Sequence, residues 1–395
     1  MNPVQEITLS PSAHALLGPS GASRWLECTP SARLEEQFPD SSSSAAEEGT
    51  IAHALAELKL RLAIGEIDED LFNAELEKLV ASPYYNADMR EHTSEYATVV
   101  LETFAAAQRA TRDAQLFIES RLDLTEYIPE GFGTSDAVIV ADDRLEVIDL
   151  KYGKGVAVDA RENKQMMIYA LGALSAHGIL YDIKRVRMTI YQPRIGNYSS
   201  WECSVEELKK FAKEVVIPKA QLAFQGGGDF VSGEHCRFCR AKCRCRAYAD
   251  AQLEVAKYEF RAPALLSDAE IADILGRAEA LKNWVSSIEE HALTEARDNG
   301  KHFEGFKLVE GRSVRTIINP ETCASILMEA GYTEEQIYSR ALLGITALEK
   351  AVGKKQFGEL LGAHIVKPAG KPTLVPLSDK RPEIGSVSGA VEDFS

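Results

Sequence analysis

The chain has 395 residues, of which 45% are hydrophobic and 26% charged, so it can form a core of about 200–250 residues and a smaller second unit. No apolar run reaches the roughly 20 residues of a membrane span, and the start of the sequence lacks the features of a secretory signal, which predicts a cytoplasmic protein with no membrane partner. The net charge of −16 does not exclude nucleic acid as a partner, because the acidic residues are concentrated in the N-terminal third and net charge does not describe a local groove.

The first part of the chain is predicted to be helical. Ser20–Glu36 has the pattern of a helix, and the polar linker Ser41–Ser44 leads to a second helix that begins near Thr50. A third helical stretch extends from about His92 to Ala114, with apolar residues at helical spacing. We therefore expect an all-helical block before residue 115.

From Gln115 onwards the apolar residues recur with a period of two, which is typical of strands. Four strands are predicted, at Leu116–Leu122, Ser135–Ala141, Arg144–Tyr152 and Arg185–Gln192. An amphipathic helix is predicted at Glu162–His177, between the third strand and the fourth. A helix that returns the chain to a sheet is typical of an α/β core, here a central mixed sheet flanked by helices.

The whole sequence is predicted to form three parts. Residues 1–250 form the core domain, which ends shortly after the glycine-rich break Gly226–Gly228 and a cysteine-rich segment. Residues 251–381 contain a helical stretch at 267–298 and form a small accessory domain with no assignable role. Residues 382–395 are rich in Gly, Ser and acid, which favours a disordered tail.

The second and third strands are predicted to form a hairpin that places two carboxylates on one face. If Asp142-Asp143 is the turn, Ala141 pairs with Arg144 and Asp136 lies opposite Asp149. Their Cβ atoms would be about 5 Å apart. Carboxylates that face each other repel unless a cation or a shared proton compensates, so the register predicts a metal site.

Oxygen ligands of this kind suit Mg²⁺ or Mn²⁺, and the Leu150 carbonyl would add one more ligand to Asp136 and Asp149. Lys151 projects from the same face, where a cation can stabilise charge during phosphodiester hydrolysis. A lone Asp-x-Lys pattern also occurs by chance on a solvated strand. Glu119 on the preceding strand is either a further acidic contributor to the site or part of a solvated face, and the solvated face is the preferred interpretation.

Two helices carry polar pairs at a spacing of four residues. His53 and Glu57 share one helix face, and Gln165 and Tyr169 share another, so each pair can project into one cleft. A histidine in an amphipathic helix is also a common packing residue. Gln165 would contact the nucleic-acid backbone or Lys151, and Tyr169 is also consistent with a core position.

Four of the seven cysteines lie between His235 and Cys245, interleaved with basic residues at positions 237, 240, 242, 244 and 246. This density in a reducing compartment predicts a metal centre rather than disulfides. Cys236, Cys239, Cys243 and Cys245 would satisfy a local zinc ion, and thiolates also suit an iron–sulfur cluster. Cys203 and Cys323 have no neighbours of ligand type and are predicted to be packing residues.

The chain resembles the PD-(D/E)XK nuclease superfamily over about residues 20–250, specifically the branch with the RecB- and AddB-type nuclease domains and the iron–sulfur exonucleases of CRISPR adaptation. Gly133–Asp136 resembles the first motif of that branch and Asp149–Lys151 the second. Gln165–Tyr169 resembles its Gln-x-x-x-Tyr helix, and Gly49–His53 its upstream histidine motif. The whole chain also resembles an uncharacterised family that is common in phage and prophage genomes.

The resemblance implies a set of site residues and a second cofactor. The implied metal ligands are His53, Asp136, Asp149 and the Leu150 carbonyl, with Lys151, Gln165 and Tyr169 in the catalytic site. It also implies a four-iron, four-sulfur cluster, with these ligands: Cys28, Cys236, Cys239 and Cys245. Cys243 is an extra residue that departs from the pattern of the family.

The first functional hypothesis is a Mg²⁺- or Mn²⁺-dependent DNA exonuclease that acts on DNA ends in phage recombination or replication, in the cytoplasm of a bacterial host. A phage single-strand-binding or recombination protein is the expected protein partner. The alternative is a non-catalytic DNA-binding or assembly protein with the same fold. A third interpretation, an iron–sulfur or zinc regulator, leaves the carboxylate hairpin unexplained. The sequence has no Walker A motif, so any helicase partner is a separate chain.

Overall fold

The computed structural model describes residues 15–39, 44–178, 180–254, 267–309, 319–338 and 344–365. Its contacts divide the chain into two units, 1–292 and 293–395, so the division falls within a helix. The sequence predicts a division at residue 250, and the roles assigned to the two parts stay predictions. The predicted tail at 382–395 lies outside the described residues.

The N-terminal segment (residues 15–39) contains short helices rather than the continuous helix predicted for Ser20–Glu36. A 3₁₀ turn at Pro19–Gly21 leads into α1 (Ala22–Trp25), and α2 follows at Ser31–Glu35. Pro30 explains the break, because a proline disfavours the α conformation of the residue before it and lacks an N–H donor.

The N-terminal segment is attached to residues about 200 positions later in the chain. The Thr29 hydroxyl donates to the Gly227 carbonyl at 2.7 Å, and the Arg240 N–H donates to Glu35 Oε1 at 2.8 Å. Glu35 also forms an ion pair with Arg24 at 2.6 Å. These contacts fix the segment against the end of the core.

Three longer helices precede the sheet: α3 (Ser44–Ala63), α4 (Glu69–Val80) and α5 (Ala87–Ala110). Asp68 and Asn86 cap the last two by accepting hydrogen bonds from the backbone N–H groups of Leu71 and Met89. The sequence predicts α3 and α5 with shifted ends, and it does not predict α4.

The sheet has five strands in the order β1 to β5, with these bounds: Gln115–Asp123, Phe132–Ala141, Arg144–Leu150, Arg185–Gln192 and Asn197–Ser204. Strands β1 to β3 pair antiparallel, β3 and β4 pair parallel, and β5 pairs antiparallel with β4. Helix α6 (Lys164–His177) connects β3 to β4. The α/β prediction is confirmed at the level of a mixed five-stranded sheet flanked by helices.

Helices cover both faces of the sheet. On one face, α6 and the N-terminal segment pack against buried strand residues such as Val138 and Val147. On the other face, α3 and α5 pack against Ile139, Ile148 and Leu150. The strands are therefore apolar on both faces, as expected for a sheet between two helical layers.

Further helices follow β5, and the last of them crosses the division at residue 292. They are α7 (Val205–Phe211), α8 (Ile217–Phe224), α9 (Arg246–Leu253) and α10 (Asp268–Asp298), with a π-helical stretch between the first two. Helix α10 confirms the helical prediction for residues 267–298. The described helices of the second unit are α11 (Pro320–Glu329), α12 (Glu334–Ile337), α13 (Ile345–Val352) and α14 (Lys354–Leu361).

Candidate metal centre

The predicted hairpin register is confirmed up to its last residue pairs. Ala141 pairs with Arg144, and the ladder continues to Ala137 and Ile148. The next predicted pair, Asp136 with Asp149, does not form in the ladder. Instead, the Leu150 N–H donates to the Asp136 Oδ2 atom at 2.7 Å, so the carboxylate takes the place of a backbone acceptor and the strands separate.

Three side chains from three elements form the centre of the site. One ligand atom each of His53 on α3, Glu119 on β1 and Asp136 on β2 lies within 4.8 Å of the other two. The His53 Nδ1 and Asp136 Oδ1 atoms are 3.2 Å apart. Within the part of the chain that the structure describes, this is the only group of three or more His, Cys, Asp or Glu side chains that is so close.

Glu119 corrects an interpretation made from the sequence, because its carboxylate faces the cluster and does not lie on a solvated face. Its φ of 46° is in the left-handed region that residues other than glycine rarely adopt. The ladder shows the distortion: Ile118 pairs with Ala137 and Ser120 with Ser135, and no pair joins Glu119 to Asp136. Positive φ inside a strand leaves no signal in one sequence, so only the position of Glu119 beside the hairpin hinted at its role.

Four ionisable side chains at the site shift one another's pKa values: His53, Glu119, Asp136 and Asp149. Burial alone would lower the pKa of His53, but the carboxylates of Asp136 and Asp149 raise it to about 9. Burial and the neighbouring Asp136 raise the pKa of Glu119 to about 8. Both shifts favour the protonated forms of His53 and Glu119 at neutral pH.

The two hairpin aspartates differ in their electrostatics. Burial alone would raise the pKa of Asp136, but the His53 imidazolium and the Leu150 N–H hold it below its usual value. Burial raises the pKa of Asp149, even though Lys151 opposes that shift. The Asp149 Oδ2 atom is buried and accepts no hydrogen bond, although the Lys151 Nζ atom is 3.0 Å away.

Lys151, Gln165 and Tyr169 continue from Asp149 in a chain of contacts. The Lys151 ammonium donates to Gln165 Oε1 at 2.9 Å. The Gln165 Nε2 atom is 3.4 Å from Asp149 Oδ1 and 3.5 Å from the Tyr169 hydroxyl. The start of α6 is fixed by Asn163, whose side chain accepts the Met166 N–H, so Gln165 points towards the end of β3.

Gly133 explains how the N-terminal segment approaches this site. A Cβ atom at Gly133 would lie 2.7 Å from the Pro19 side chain and 3.0 Å from the Tyr169 ring. The absence of a side chain thus lets Pro19 and Tyr169 pack against the start of β2, two residues before Ser135 and three before Asp136.

The cysteine segment (residues 235–246) forms 3₁₀ turns that lie against the N-terminal segment. Cys28, Cys236, Cys239 and Cys245 line one cavity, and Cys243 is not in its wall. No three of these sulfur atoms approach within 4.8 Å, in contrast to the His53 group. Burial raises the pKa of the Cys236 thiol and raises that of the Cys239 thiol to about 12.

The two remaining cysteines are apart from this cavity. Cys203 on β5 is buried in the core beside α7, where burial raises its pKa to about 11. Cys323 lies on α11 in the second unit. The packing interpretation agrees with the position of Cys203.

Residues 14–382 match a family that is described as "Protein of unknown function (DUF2800)". The chain belongs to the DUF2800 family. A solved structure described as "Crystal structure of SSO0001" is also similar, with 13% sequence identity and a TM-score of 0.23, over 49% of this chain and 95% of that chain.

The DUF2800 match includes every residue of the metal centre and of the cysteine cavity, from Cys28 to Cys245. The description of the family names no activity, so the function of this DUF2800 chain has to be argued from its geometry. None of the helices described for it is both long enough and apolar enough to span a membrane.

Proposed function

We propose that the protein is a metal-dependent DNA nuclease of the PD-(D/E)XK type, an exonuclease that hydrolyses phosphodiester bonds at DNA ends. The observation that carries the proposal is the convergence of His53, Glu119 and Asp136 beside the ion pair of the buried Asp149 with the half-buried Lys151. Acidic and imidazole ligands next to a positioned ammonium group are what phosphodiester hydrolysis requires.

The residues fit a divalent cation. Three carboxylates and one imidazole gather at a partly buried site, and such a group needs a cation or bound protons to compensate its negative charge. The Asp149 carboxylate, whose Oδ2 atom is paired only with the Lys151 ammonium at 3.0 Å, offers a further oxygen ligand. His53, Glu119, Asp136 and Asp149 would hold Mg²⁺ or Mn²⁺, with the Leu150 carbonyl as an additional ligand. Bound metal would act as a Lewis acid on the phosphodiester.

The protein groups around the cation have separate tasks. Lys151 would stabilise the negative charge that develops on the phosphate during attack. Gln165 holds the Lys151 ammonium through its carbonyl oxygen, and Tyr169 contacts the Gln165 amide. Gln165 and Tyr169 are therefore positioning residues in this proposal.

We also propose that Cys28, Cys236, Cys239 and Cys245 hold a four-iron, four-sulfur cluster. A single zinc ion binds thiolates at about 2.3 Å and would require sulfur atoms about 4 Å apart. A local zinc site would need Cys243, which is not in the wall of the cavity, whereas Cys28 from the N-terminal segment is in the wall together with Cys236, Cys239 and Cys245. This shared wall supports the four cysteines of the cluster over a local zinc ion.

The proposed cluster would have a structural role. It would join Cys28 of the N-terminal segment to the cysteine segment and so close the ends of the core. The contact between Glu35 and the Arg240 N–H already brings these two segments together.

The test is digestion of end-labelled single- and double-stranded DNA by anaerobically purified protein, with Mn²⁺ and with EDTA. We expect digestion only with metal, and a loss of at least about 100-fold in Asp149→Asn, because an electrostatic contribution to the transition state is removed. Asp142→Ala, at the exposed turn of the same hairpin, is the matched control and should remain active. Metal-dependent DNA binding without cleavage in the wild type would favour the non-catalytic alternative.

A further inference from the structure

A large cavity, here called the Phe238 cavity, extends from the cysteine segment to the start of β2 and to Tyr169 on α6. Its volume is about 810 Å³, within the range of sites that bind small molecules or parts of larger ones. Its wall includes Phe238 at one side and Gly133, Thr134 and Tyr169 at the other. No residue of the metal centre lines the cavity.

Phe238 is an unusual residue on this surface. Its side chain is 75% exposed, although the cysteines on either side, Cys236 and Cys239, are buried. The Arg237 guanidinium lies 5.5 Å from the centre of the ring. An exposed aromatic ring next to a cation presents a flat apolar face where a planar, negatively charged ligand can bind.

The charges around Phe238 favour an anion. Residues 237–246 contain five basic residues and no acidic residue, and Arg237, Arg244 and Arg246 are exposed. The two acidic residues in the wall are already paired: Glu35 with Arg24 at 2.6 Å and Glu36 with Arg33 at 3.1 Å. A protein of net charge −16 thus has a run of basic residues around Phe238, of which Arg240 lines the cavity.

The opposite end of the cavity is close to the proposed reaction site. Tyr169 lines the cavity, and its hydroxyl is 3.5 Å from Gln165, which is 3.4 Å from Asp149. The end of the cavity is therefore separated from Asp149 by two side chains, Tyr169 and Gln165.

We propose that the Phe238 cavity binds single-stranded DNA on its way to the metal centre, with a base stacked on Phe238 and phosphates at the basic residues of the cysteine segment. Aromatic stacking together with a basic groove is the common mode of binding single strands without sequence preference. A base inside a duplex cannot stack on Phe238, because the neighbouring base pairs cover both of its faces, whereas the bases of a single strand can. The inference deepens the proposed nuclease function and rests on it.

The test measures binding without cleavage. Wild-type protein, purified anaerobically, is titrated into a fluorescein-labelled oligothymidylate in EDTA, and the Kd is compared with that for a duplex of the same length. We expect tighter binding of the single strand. Phe238→Ala should weaken it by about 5- to 140-fold, which corresponds to about 1–3 kcal/mol for one stacked base.

Two further variants separate stacking from folding. Phe238→Trp should keep the affinity, since tryptophan also stacks. Phe306→Ala removes another phenylalanine that is 82% exposed and is not part of the cavity wall, and it should bind like the wild type. Equal affinities of Phe238→Ala and the wild type, or a preference for the duplex, would overturn the inference.

A change in the DNA tests the same contact without altering the protein. An oligonucleotide of the same length with abasic sites throughout keeps the phosphates and lacks the bases. The wild type should bind it as weakly as Phe238→Ala binds oligothymidylate, and Phe238→Ala should bind both DNAs equally. A base-independent affinity in the wild type would reject stacking.

The two proposals fail in different ways. Cleavage with Mn²⁺ but no role for Phe238 in binding would remove this inference and leave the nuclease assignment. Binding that depends on Phe238 without cleavage under any metal condition would remove the nuclease assignment and leave a single-stranded DNA site.

Discussion

At the scale of single residues, the metal centre holds protons that a cation has to displace. His53 binds metal only as the neutral imidazole, and its pKa in the metal-free protein is raised to about 9. Glu119, with a pKa raised to about 8, is also largely protonated at neutral pH. Metal binding and protonation therefore compete for the same atoms.

The first prediction is that the affinity for Mn²⁺ rises with pH up to about pH 9. Below that pH each bound cation releases protons from His53 and Glu119, so a lower proton concentration favours the metal-bound state. Calorimetric titration with Mn²⁺ at several pH values, in buffers of different ionisation enthalpy, measures both the affinity and the number of protons released.

A variant at one ligand provides the control. In Glu119→Gln, one of these protons is absent, so the dependence on pH should be shallower than in the wild type. An affinity that does not change between pH 6 and about pH 9 would contradict the proposed ligand set, because these two raised pKa values define that interval.

The second prediction concerns stability without metal. Burial raises the pKa of Asp149, so its ionised form destabilises the folded state as the pH rises above the unfolded value of about 3.9. Asp149→Asn removes that cost and keeps one acceptor for Lys151. We expect a Tm in EDTA at pH 7 that is equal to or above that of the wild type, measured by differential scanning fluorimetry.

Asp136→Asn is the matched comparison, because the pKa of Asp136 is lowered by His53 and by the Leu150 N–H. A lowered pKa means that the ionised form stabilises the fold, and this stabilisation is lost as the pH falls through the folded value. The Tm of Asp136→Asn should therefore fall at pH 7. Equal losses in both variants would show that the two aspartates do not differ as described.

At the scale of elements, the third prediction distinguishes a long-range cluster from a local zinc site. Cys28→Ala should lose the iron and expose the N-terminal segment to protease, because Cys28 lies in the wall of the cysteine cavity. Cys243→Ala should keep the iron, because Cys243 is not in the wall. Iron and zinc analysis of both variants, with limited proteolysis, measures the outcome.

The opposite result in the same two cysteine variants would contradict the long-range cluster. A four-thiolate zinc site cannot lose a ligand, so a local site would bind metal in Cys28→Ala and lose it in Cys243→Ala. Stoichiometric zinc without iron in the wild type would reject the cluster and leave the nuclease assignment untouched.

The elements differ in how far the sequence predicts them. The bounds of β4 and the hairpin register follow from apolar alternation around the turn at Asp142-Asp143, and they agree with the structure except at the predicted pair of Asp136 and Asp149. Strand β5 (Asn197–Ser204) is missed, because it is an edge strand whose residues are mostly polar or exposed. The prediction of one helix over Ser20–Glu36 is wrong, because it follows the apolar periodicity and neglects the break that Pro30 causes between α1 and α2.

The residues of the site also differ in how far the sequence predicts them. Asp136, Asp149, Lys151, Gln165 and His53 could be selected from their motifs and spacing, because spacing determines which face a side chain occupies. Glu119 is only a secondary candidate from the sequence, because the departure of its backbone from the regular strand conformation is not visible there. Local deviations of this kind depend on tertiary contacts, and those are not encoded in a short pattern.

At the scale of the whole molecule, the fourth prediction concerns how salt affects binding. The net charge of −16 repels DNA, so binding has to rely on the local basic residues of the cysteine segment. The logarithm of the binding constant for single-stranded DNA should decrease with the logarithm of salt concentration with a slope of about −2 to −3, as for three or four phosphate contacts. Fluorescence anisotropy over a range of KCl concentrations measures this slope.

A charge-matched pair of double variants tests the location. Arg244→Ala with Arg246→Ala removes two exposed cations of the cysteine segment and should make the slope shallower by about 1.4. Arg109→Ala with Arg112→Ala removes two exposed cations elsewhere and should leave it unchanged. The same change in both variants would mean that the binding surface has been assigned wrongly.

The attachment of the N-terminal segment to the cysteine segment has a consequence for synthesis on the ribosome. Glu35 and the Arg240 N–H that it binds are separated by 205 residues, which take about 10–40 s to translate at about 5–20 residues per second. During that interval Trp25 and Leu26, which are buried in the finished core, have no complete surface to pack against. A transcript that ends before codon 224 would thus yield a chain with an exposed apolar start, which chaperones and proteases recognise.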